Sequence, residues 1–467
     1  MNTRAMLRSL LVAAVLCGAS GRAAAALELD QVLASSIEHF PAIQAAVQET
    51  LIREGRVTGA LGAFDLALEQ NAKVRGGYYD GRTLDNRLVK PLPLANMQTF
   101  AGYRVSNDDF PIYEEEYVTN DGGEFNLGIV FSLWRDRSID PRRFELAAAR
   151  LGVREAELDL ELARITTQRN ATRAYWSWVV AGQRLAVYRA LVALAERRVN
   201  AFEQRAAAGD IATIHIVENR QNLLRRQALA TEAQGDFDAR AIELSLYLRD
   251  VHGDPMRPDA TALPGLVTGT TAHVADAEIL VAAVLSVRPE LARLDTLSDI
   301  ERKRLALAEN ELMPRVDLGL KGAHDIGNGA RAREGFEAVV DLTISIPLER
   351  RRGTGLVAES RARLEQINFE RALTEQRLAN EIRKLGTTLN AMRELVALTG
   401  DEAEQAATME QAERTRFEAG ASDFFLVNLR EERSADARIR HLDARLLYQL
   451  SVADLHAITI DREALGL

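Results

Sequence analysis

The second half of the sequence is a diverged copy of the first, and this doubling constrains the fold more than any other feature. Ser132 corresponds to Ser345, and Ala149-Arg150-Leu151 corresponds to Ala362-Arg363-Leu364, at a common offset of 213 residues. Solenoid proteins repeat with periods of about 20–50 residues, so this repeat is too long to be a solenoid unit. Both halves predict the same order of elements: helix, strands, very long helix, glycine-containing turn, helix.

The doubling divides the chain into two predicted structural repeats, residues 27–251 and 276–467. Residues 252–275 contain three prolines and three glycines, which predicts an irregular linker between the repeats. At 467 residues the chain is long enough for about three domains. The duplication instead favours two halves of one body.

The first 26 residues are typical of an export signal. Arg4 and Arg8 precede an apolar stretch from Leu10 to Ala19, and the alanines at 23–26 offer the small residues that a signal peptidase needs. The alternative is a lipoprotein signal in which Cys17, the only cysteine, is acylated. No later segment has 18 or more consecutive apolar residues, which predicts no transmembrane helix.

The charge of the chain disfavours nucleic acid as a partner. The formal net charge is −10, and it becomes −13 when the predicted signal, with its three arginines, is removed. Nucleic-acid binding depends on neutralising phosphates with basic residues. An acidic chain of this kind fits a protein that handles cations or remains soluble.

Alternating apolar and polar residues predict strands in both repeats. In residues 124–134 an apolar series alternates with polar or small residues: Phe125, Leu127, Ile129 and Phe131. Four or so strands cannot close a barrel, since the smallest barrels need about eight, so a barrel would require several chains. The other predicted strands are 64–76, 96–106, 336–347 and the segment around Val316, Leu318 and Leu320.

Two prolineless segments predict helices of unusual length, because they are rich in strong helix formers. These are residues 142–206 and 355–418. Each is followed by a short turn and a further helix, which indicates antiparallel coiled-coil hairpins. The accompanying helices are predicted at 213–250 and 423–458, and another helix at 28–60.

The sequence offers no catalytic pattern. Its seven histidines are scattered without zinc-site spacing, and it has no phosphate-binding loop or nucleophile elbow. We therefore predict a protein that is not an enzyme and has no metal or cofactor. Trp176-Ser177-Trp178 could form a ligand platform, but packing is the favoured interpretation. Glu114-Glu115-Glu116 falls in a predicted solvated loop, and Gly327-Asn328-Gly329 predicts a hairpin turn.

The turns after the two long helices share the form Arg-x-x-x-Gly. A glycine after a helical run supplies the left-handed residue that ends the helix. Thr213 in the first turn, and Ser422 or Asp423 in the second, are predicted to cap the following helix. The residues of the two motifs are Arg205 and Gly209, and Arg416 and Gly420.

With these turns, the strands, the long helices and the N-terminal segment from Leu27 to Ile43, the chain resembles the TolC family of outer-membrane efflux ducts. The resemblance covers residues 27–460 and implies an α+β membrane protein. Three chains would each give four strands to a shared 12-stranded β-barrel, which continues as a long α-helical coiled-coil tunnel. The location implied is the outer membrane of a Gram-negative bacterium, extending into the periplasm.

The resemblance also implies a function and partners. The function is a passive export duct of a tripartite efflux or type I secretion system, and the alternative is a non-transporting periplasmic adaptor or scaffold. A periplasmic adaptor protein would contact the tips and link them to an inner-membrane pump, while the apolar face of 124–134 would meet lipid. Asp423 is a possible pore gate, and the 77–123 region is either a large loop or an extra strand. The tip residues implied are Arg205, Gly209, Arg416 and Gly420.

Overall fold

The computed structural model describes residues 26–78, 80–108, 119–265, 272–274, 276–329 and 335–467. Residues 1–25 of the predicted signal peptide, including Cys17, lie outside the described residues, as do Glu114 to Glu116.

Both halves of the described chain contain two helices, then strands, then a long and a shorter helix. The helices of the first half are α1 (Leu29–His39), α2 (Pro41–Leu61), α3 (Pro141–Ala207) and α4 (Thr213–Ser245). Those of the second half are α5 (Ala277–Leu285), α6 (Pro289–Glu311), α7 (Arg351–Glu418), α8 (Phe424–Thr459) and the short α9 (Arg462–Leu465). The strands are β1 (Ala67–Arg75), β2 (Gly81–Pro91), β3 (Gln98–Asp108), β4 (Glu124–Ser132), β5 (Arg315–Asp325) and β6 (Gly335–Ser345).

The single helix predicted at 28–60 is wrong, because the chain breaks between α1 and α2. Phe40 is extended, with φ −72° and ψ 124°. A proline disfavours helical geometry in the residue before it, and Pro41 therefore ends α1 and begins α2. Arg288 is extended in the same way before Pro289, with φ −69° and ψ 126°.

The predictions for the long helices are confirmed to within a few residues. The helix α3 contains 67 residues and α7 contains 68. One stretch of α3 is apolar enough to cross a membrane by length and composition, but 39% of it is buried within the chain. A buried core helix passes the same test.

The six strands form one antiparallel sheet in the order of the sequence, β1 to β6. The four strands per chain that the resemblance implied are therefore wrong for this chain. Alternation predicted five strand segments, and the sixth strand, β2, lies within the 77–123 region, where charged residues interrupt the alternation. Its pairing with both neighbours identifies it: Leu84 lies opposite Ala72 on β1 and opposite Val105 on β3. The segment Gly327-Asn328-Gly329 lies in the β5–β6 connection.

The described chain divides into two compact units. Of the described residues, one unit comprises those from 26 to 41, those within 164–277 and those from 382 to 467, and the other comprises those within 42–163 and 278–381.

The core of the first unit surrounds Trp178, which is fully buried. Its ring stacks on Phe237, with 6.1 Å between ring centroids. Tyr175 donates a hydrogen bond of 3.0 Å to the Leu27 carbonyl, and burial raises the pKa of Tyr175 to about 12. The packing interpretation of Trp176-Ser177-Trp178 is thus confirmed.

The predicted linker at 252–275 is irregular where the structure describes it. A 3₁₀ turn spans Ala260–Ala262, and the Ala262 carbonyl accepts a 2.8 Å hydrogen bond from the Leu27 N–H. The Asn390 side chain donates to the Val274 carbonyl at 3.2 Å. These bonds satisfy backbone groups that lack strand or helix partners.

Candidate functional site: a two-faced sheet and paired helix turns

The sheet has one apolar, exposed face, because successive residues of a strand point to opposite sides. Leu127 on β4 is 65% exposed, and Phe336 on β6 is 75% exposed. The register places Ile129 opposite Leu320, and Leu320 opposite Val340. The apolar face continues across the last three strands with Phe125, Leu127, Ile129, Phe131, Leu318, Leu320, Phe336, Val340, Leu342 and Ile344.

The other face of the sheet is polar and is cross-linked by charged side chains. Arg104 donates a 2.8 Å hydrogen bond to Asp85, although Arg104 is only 6% exposed. Lys321 pairs with Glu124 at 3.1 Å. Such pairs lie across neighbouring strands, where opposite charges stabilise the sheet.

Several buried atoms on the polar face have no protein partner among the described residues: Asp85 Oδ1, Arg87 Nε and Asn126 Oδ1. Buried polar atoms are usually satisfied by protein or by water. A face with such atoms suits contact with water, whereas the apolar face does not.

The two helix turns have the same backbone hydrogen bond and the same left-handed glycine. The Asp210 N–H donates to the Arg205 carbonyl at 2.9 Å, and the Ala421 N–H donates to the Arg416 carbonyl at 2.8 Å. Gly209 has φ +82° and Gly420 has φ +72°. Both turns are therefore Schellman motifs, and the predicted role of the two glycines in ending α3 and α7 is confirmed.

The caps of the following helices differ. Asp423 caps α8, accepting a 2.8 Å hydrogen bond from the Leu426 N–H. The N-cap of α4 is Ala212, without a side-chain hydrogen bond. The predicted cap Thr213 is wrong, because Thr213 is already the first residue of α4 and its side chain lies past the capping position. The pore-gate role of Asp423 stays a prediction.

The two arginines of the turns also differ. Arg416 donates to the Ala421 carbonyl at 3.3 Å and pairs with Glu413 at 3.5 Å. Ser422 also donates to Glu413. The Arg205 side chain is exposed, and its guanidinium makes no hydrogen bond or ion pair in the described part of the chain. The second turn is therefore tied down by side chains, and the first is not.

A buried ionic cluster joins the four helices on either side of the two turns, which are α3, α4, α7 and α8. Glu431 on α8 is fully buried. It accepts hydrogen bonds from Arg198 on α3 and, at 2.9 Å, from Arg226 on α4. Arg414 on α7 approaches the same carboxylate at 3.8 Å. A buried carboxylate needs such partners, because an unpaired buried charge is costly.

An aromatic contact lies beside this ionic cluster. Phe424, the first residue of α8, meets Phe202 on α3 edge to face, with 5.1 Å between ring centroids. The guanidinium of Arg198 lies 5.2 Å from the centroid of the Phe424 ring. No sequence pattern predicted either set of contacts. The sequence signal for the ionic cluster is Glu431, an acidic residue at a core-facing position of α8. Its arginine partners are distant in sequence, so no local pattern connects them to it.

No group of three or more histidine, cysteine, aspartate or glutamate side chains that could hold a metal ion occurs in the residues that the structure describes.

Comparison with known proteins finds likenesses in structure only. No protein-family model matches the chain, and no curated protein matches it. A membrane protein from Pseudomonas aeruginosa matches with a TM-score of 0.65 and 15% identity, covering 93% of each chain.

Two named channels give similar values. The MtrE outer membrane channel of Neisseria gonorrhoeae, in its open state, matches with a TM-score of 0.64 and 12% identity, over 92% of this chain and 88% of that one. The outer membrane protein VceC of Vibrio cholerae matches with a TM-score of 0.64 and 15% identity, over 92% and 96%. The resemblance seen in the sequence is thus confirmed at the level of the fold, and this chain has the fold of the TolC-type outer-membrane channels.

Proposed function

We propose that this chain is the outer-membrane channel of a tripartite efflux or type I secretion system, a passive duct from the periplasm to the exterior. The observation that carries the proposal is the two-faced sheet. An apolar face over several strands suits lipid, and a polar face with unsatisfied buried atoms suits a water-filled lumen. A periplasmic adaptor or scaffold has no need of a lipid-facing sheet, so that alternative is disfavoured.

The open edges of the sheet support an assembly of several copies. In the described chain, β1 and β6 are the outer strands of the sheet, and each pairs on one side only. An exposed edge is a template for pairing with another chain, and barrel closure removes it. A homotrimer would close the sheet with eighteen strands, six from each chain, instead of the twelve that four strands would give. Barrels of 16–18 strands leave an aqueous channel.

The lipid contacts follow from the same arrangement. Phe125 and Leu127 are exposed, and Ile129 and Phe131 are half-buried on the same face of β4. With this face in lipid, every strand N–H and C=O of a closed barrel would be paired, as the hydrocarbon region requires. The location proposed is therefore the outer membrane of a Gram-negative bacterium.

The turns are proposed as the adaptor-contacting tips. Arg205, Gly209, Arg416 and Gly420 are all exposed. Apolar side chains next to the turns are also exposed, notably Phe425, at 65%. Exposed apolar groups beside charged ones are typical of protein interaction sites. The adaptor would in turn connect the duct to an inner-membrane pump, and the duct itself would carry out no catalysis.

Membrane fractionation with heat-modifiable migration in SDS tests the proposal. We expect the full chain in the outer-membrane fraction, as an oligomer that runs as a monomer only after boiling. Purified oligomer in a planar lipid bilayer should give stepwise conductance. A soluble periplasmic monomer would overturn the channel and favour the adaptor alternative.

A further inference from the structure

A groove runs between the end of α2 and the start of α3, within one compact unit. Its volume is about 690 Å³, which lies inside the range of roughly 300–1,000 Å³ that is typical of small-molecule pockets. Small side chains keep the groove open along both helices. They are Gly59, Ala60, Ala63, Ala148, Ala149 and Gly152.

The charged residues of the groove are mostly arginines. They are Arg53, Arg56 and Arg142, with Glu145 as the one carboxylate. Arg53 pairs with Glu49 at 2.7 Å. The guanidinium groups of Arg56 and Arg142 make no hydrogen bond or ion pair with any part of the chain that the structure describes. This excess of positive charge contrasts with the net charge of −10 of the whole chain.

The chemistry of the groove suits an organic anion. Guanidinium groups donate charge-assisted hydrogen bonds to the oxygens of carboxylates, phosphates and sulfonates. Arg53 lies across Gly152, where an added Cβ atom would be 3.6 Å from the Arg53 Nη1 atom. The alanine walls offer apolar contact beside the arginines. A ligand that combines an anionic group with an apolar body therefore fits better than a small inorganic anion.

The hand of the sheet determines the order in which its strands follow one another around the polar face. Ser132 on β4 is buried on the polar face, whereas Phe131 lies on the apolar face. The Ser132 N–H donates to the Ala95 carbonyl at 2.9 Å, which places β3 on that side of β4. Because all residues have the same chirality, this bond direction determines on which side of β4 each neighbouring strand lies when the polar face is viewed from the front.

Helix α3 continues from β4 and lies between α2 and α6 in the same order. The groove separates it from α2, and the Arg304 guanidinium of α6 lies 5.9 Å from the centroid of the Phe144 ring on α3. A right-handed helix with these neighbours turns Glu145 toward the side of the polar face. The exposed Arg150 and Arg154 lie on the opposite side of α3. The groove therefore opens on the side of the polar face, which is the lumen of the proposed duct.

We propose that this groove binds amphiphilic organic anions that pass along the lumen. Arg56 and Arg142 hold the anionic group, and the alanines of α2 and α3 contact the apolar part. The inference rests on the proposed function, because the groove meets transported molecules only if the polar face encloses the duct.

Block of the current through the purified oligomer in a planar bilayer tests the site. Naphthalenesulfonate is the probe, because it joins one anionic group to an apolar ring system. It should block the wild type at lower concentration than inorganic sulfate, which lacks the ring, or naphthalenemethanol, which lacks the charge. Equal block by the three compounds would overturn the proposed recognition.

Paired substitutions locate the block. Arg56→Gln with Arg142→Gln should raise the naphthalenesulfonate concentration for half-block at least tenfold. The matched control is Arg150→Gln with Arg154→Gln, which removes the same charge from the other side of α3 and should leave that concentration unchanged. An equal shift in the two double variants would contradict a site in the groove.

Cysteine labelling gives a readout that does not depend on conduction. Ala149 lines the groove, and Ala147 lies two residues away on the other side of α3. Naphthalenesulfonate should slow the reaction of Ala149→Cys with N-ethylmaleimide at least threefold and leave that of Ala147→Cys unchanged. The wild type controls for Cys17.

The two readouts separate the groove from the channel. A conducting wild type with no protection of Ala149→Cys, and no effect of the Arg56 and Arg142 substitutions, overturns the site and leaves the channel standing. A wild type that conducts no current overturns the proposed channel, and the labelling of Ala149→Cys then decides by itself whether the groove binds organic anions.

Discussion

The two helix turns of the chain share a backbone and differ in their side chains. Each ends a long helix with a left-handed glycine and a hydrogen bond back to the arginine carbonyl. Only the second turn adds a capping carboxylate, Asp423, and an arginine tied to its own turn, Arg416. Only the second begins its next helix with a buried aromatic ring, Phe424.

The difference shows that glycine and helix length determine the path of the chain, while side chains determine how firmly each turn is held. The first turn has exposed Ile214 and Val217 just beyond it, and its arginine is unpaired within the described residues. It therefore presents more free groups to a partner than the second turn. The two tips would offer unlike docking sites to one adaptor.

The largest expected effect comes from the cluster that joins the two hairpins. Glu431→Ala should lower the free energy of unfolding by about 3–5 kcal/mol, because it leaves Arg198 and Arg226 buried without their partner. Urea unfolding followed by circular dichroism measures this. Glu432→Ala is the matched control, since Glu432 makes only a 3.5 Å pair with the exposed Arg225. An equal loss of unfolding free energy in Glu431→Ala and Glu432→Ala would contradict the central role of Glu431.

Replacing the turn glycines should affect both turns alike. Gly209→Ala and Gly420→Ala should each lower the free energy of unfolding by about 1–2 kcal/mol, since a side chain disfavours the left-handed conformation. Thermal unfolding measures the cost. An effect in one turn only would break the equivalence of the two backbones.

The same positions give a functional test. Gly420→Pro cannot adopt φ +72° and loses the N–H that donates to the Phe417 carbonyl at 3.0 Å. We expect export to be lost while membrane insertion continues. Gly420→Asn is the control, because asparagine tolerates the left-handed region. Normal export by Gly420→Pro would contradict the tip assignment.

The caps should separate the turns. Asp423→Ala should lower the free energy of unfolding by about 1 kcal/mol, since it removes a hydrogen bond at the start of α8. Thr213→Ala should change stability little, because Thr213 does not cap α4. Conversely, Ala212→Asp should stabilise the first hairpin by supplying the missing cap. If neither Asp423→Ala nor Ala212→Asp changed the free energy of unfolding, the difference between the two caps would be contradicted. Chemical denaturation resolves effects of this size.

The smallest expected effect is a pH dependence of stability that arises from His441, in the second hairpin only. Burial, and then the nearby Arg445, lower the pKa of His441 below its ordinary 6.5. The folded state therefore favours the neutral ring, so the wild type should lose stability relative to His441→Gln as the pH falls below about 6.5. The corresponding residue of the first hairpin is Ala230. A constant difference between the two proteins from pH 8 to pH 5 would contradict this.

Local patterns predicted much of the fold. Helix formers without proline marked α3 and α7, and alternation marked β4 and β6, because both signals depend on neighbours along the chain. The pair Phe40-Pro41 contained the signal for the α1–α2 break, but the apolar stripe around it favoured one helix. The strand β2 was missed because its charged residues weaken the alternation.

Local sequence patterns specify the long helices and the glycine turns, since each depends on residues within a few positions of one another. The recurrence of these patterns along the chain specifies the doubled order of elements. Tertiary packing fixes the six-stranded pairing of the sheet and the position of Glu431 among three arginines, and the folded backbone shows that Asp423 caps α8 whereas Thr213 does not cap α4. Arg198, Arg226 and Arg414 come from three different helices. Contacts between residues so distant in the chain arise from packing, which no local periodicity records.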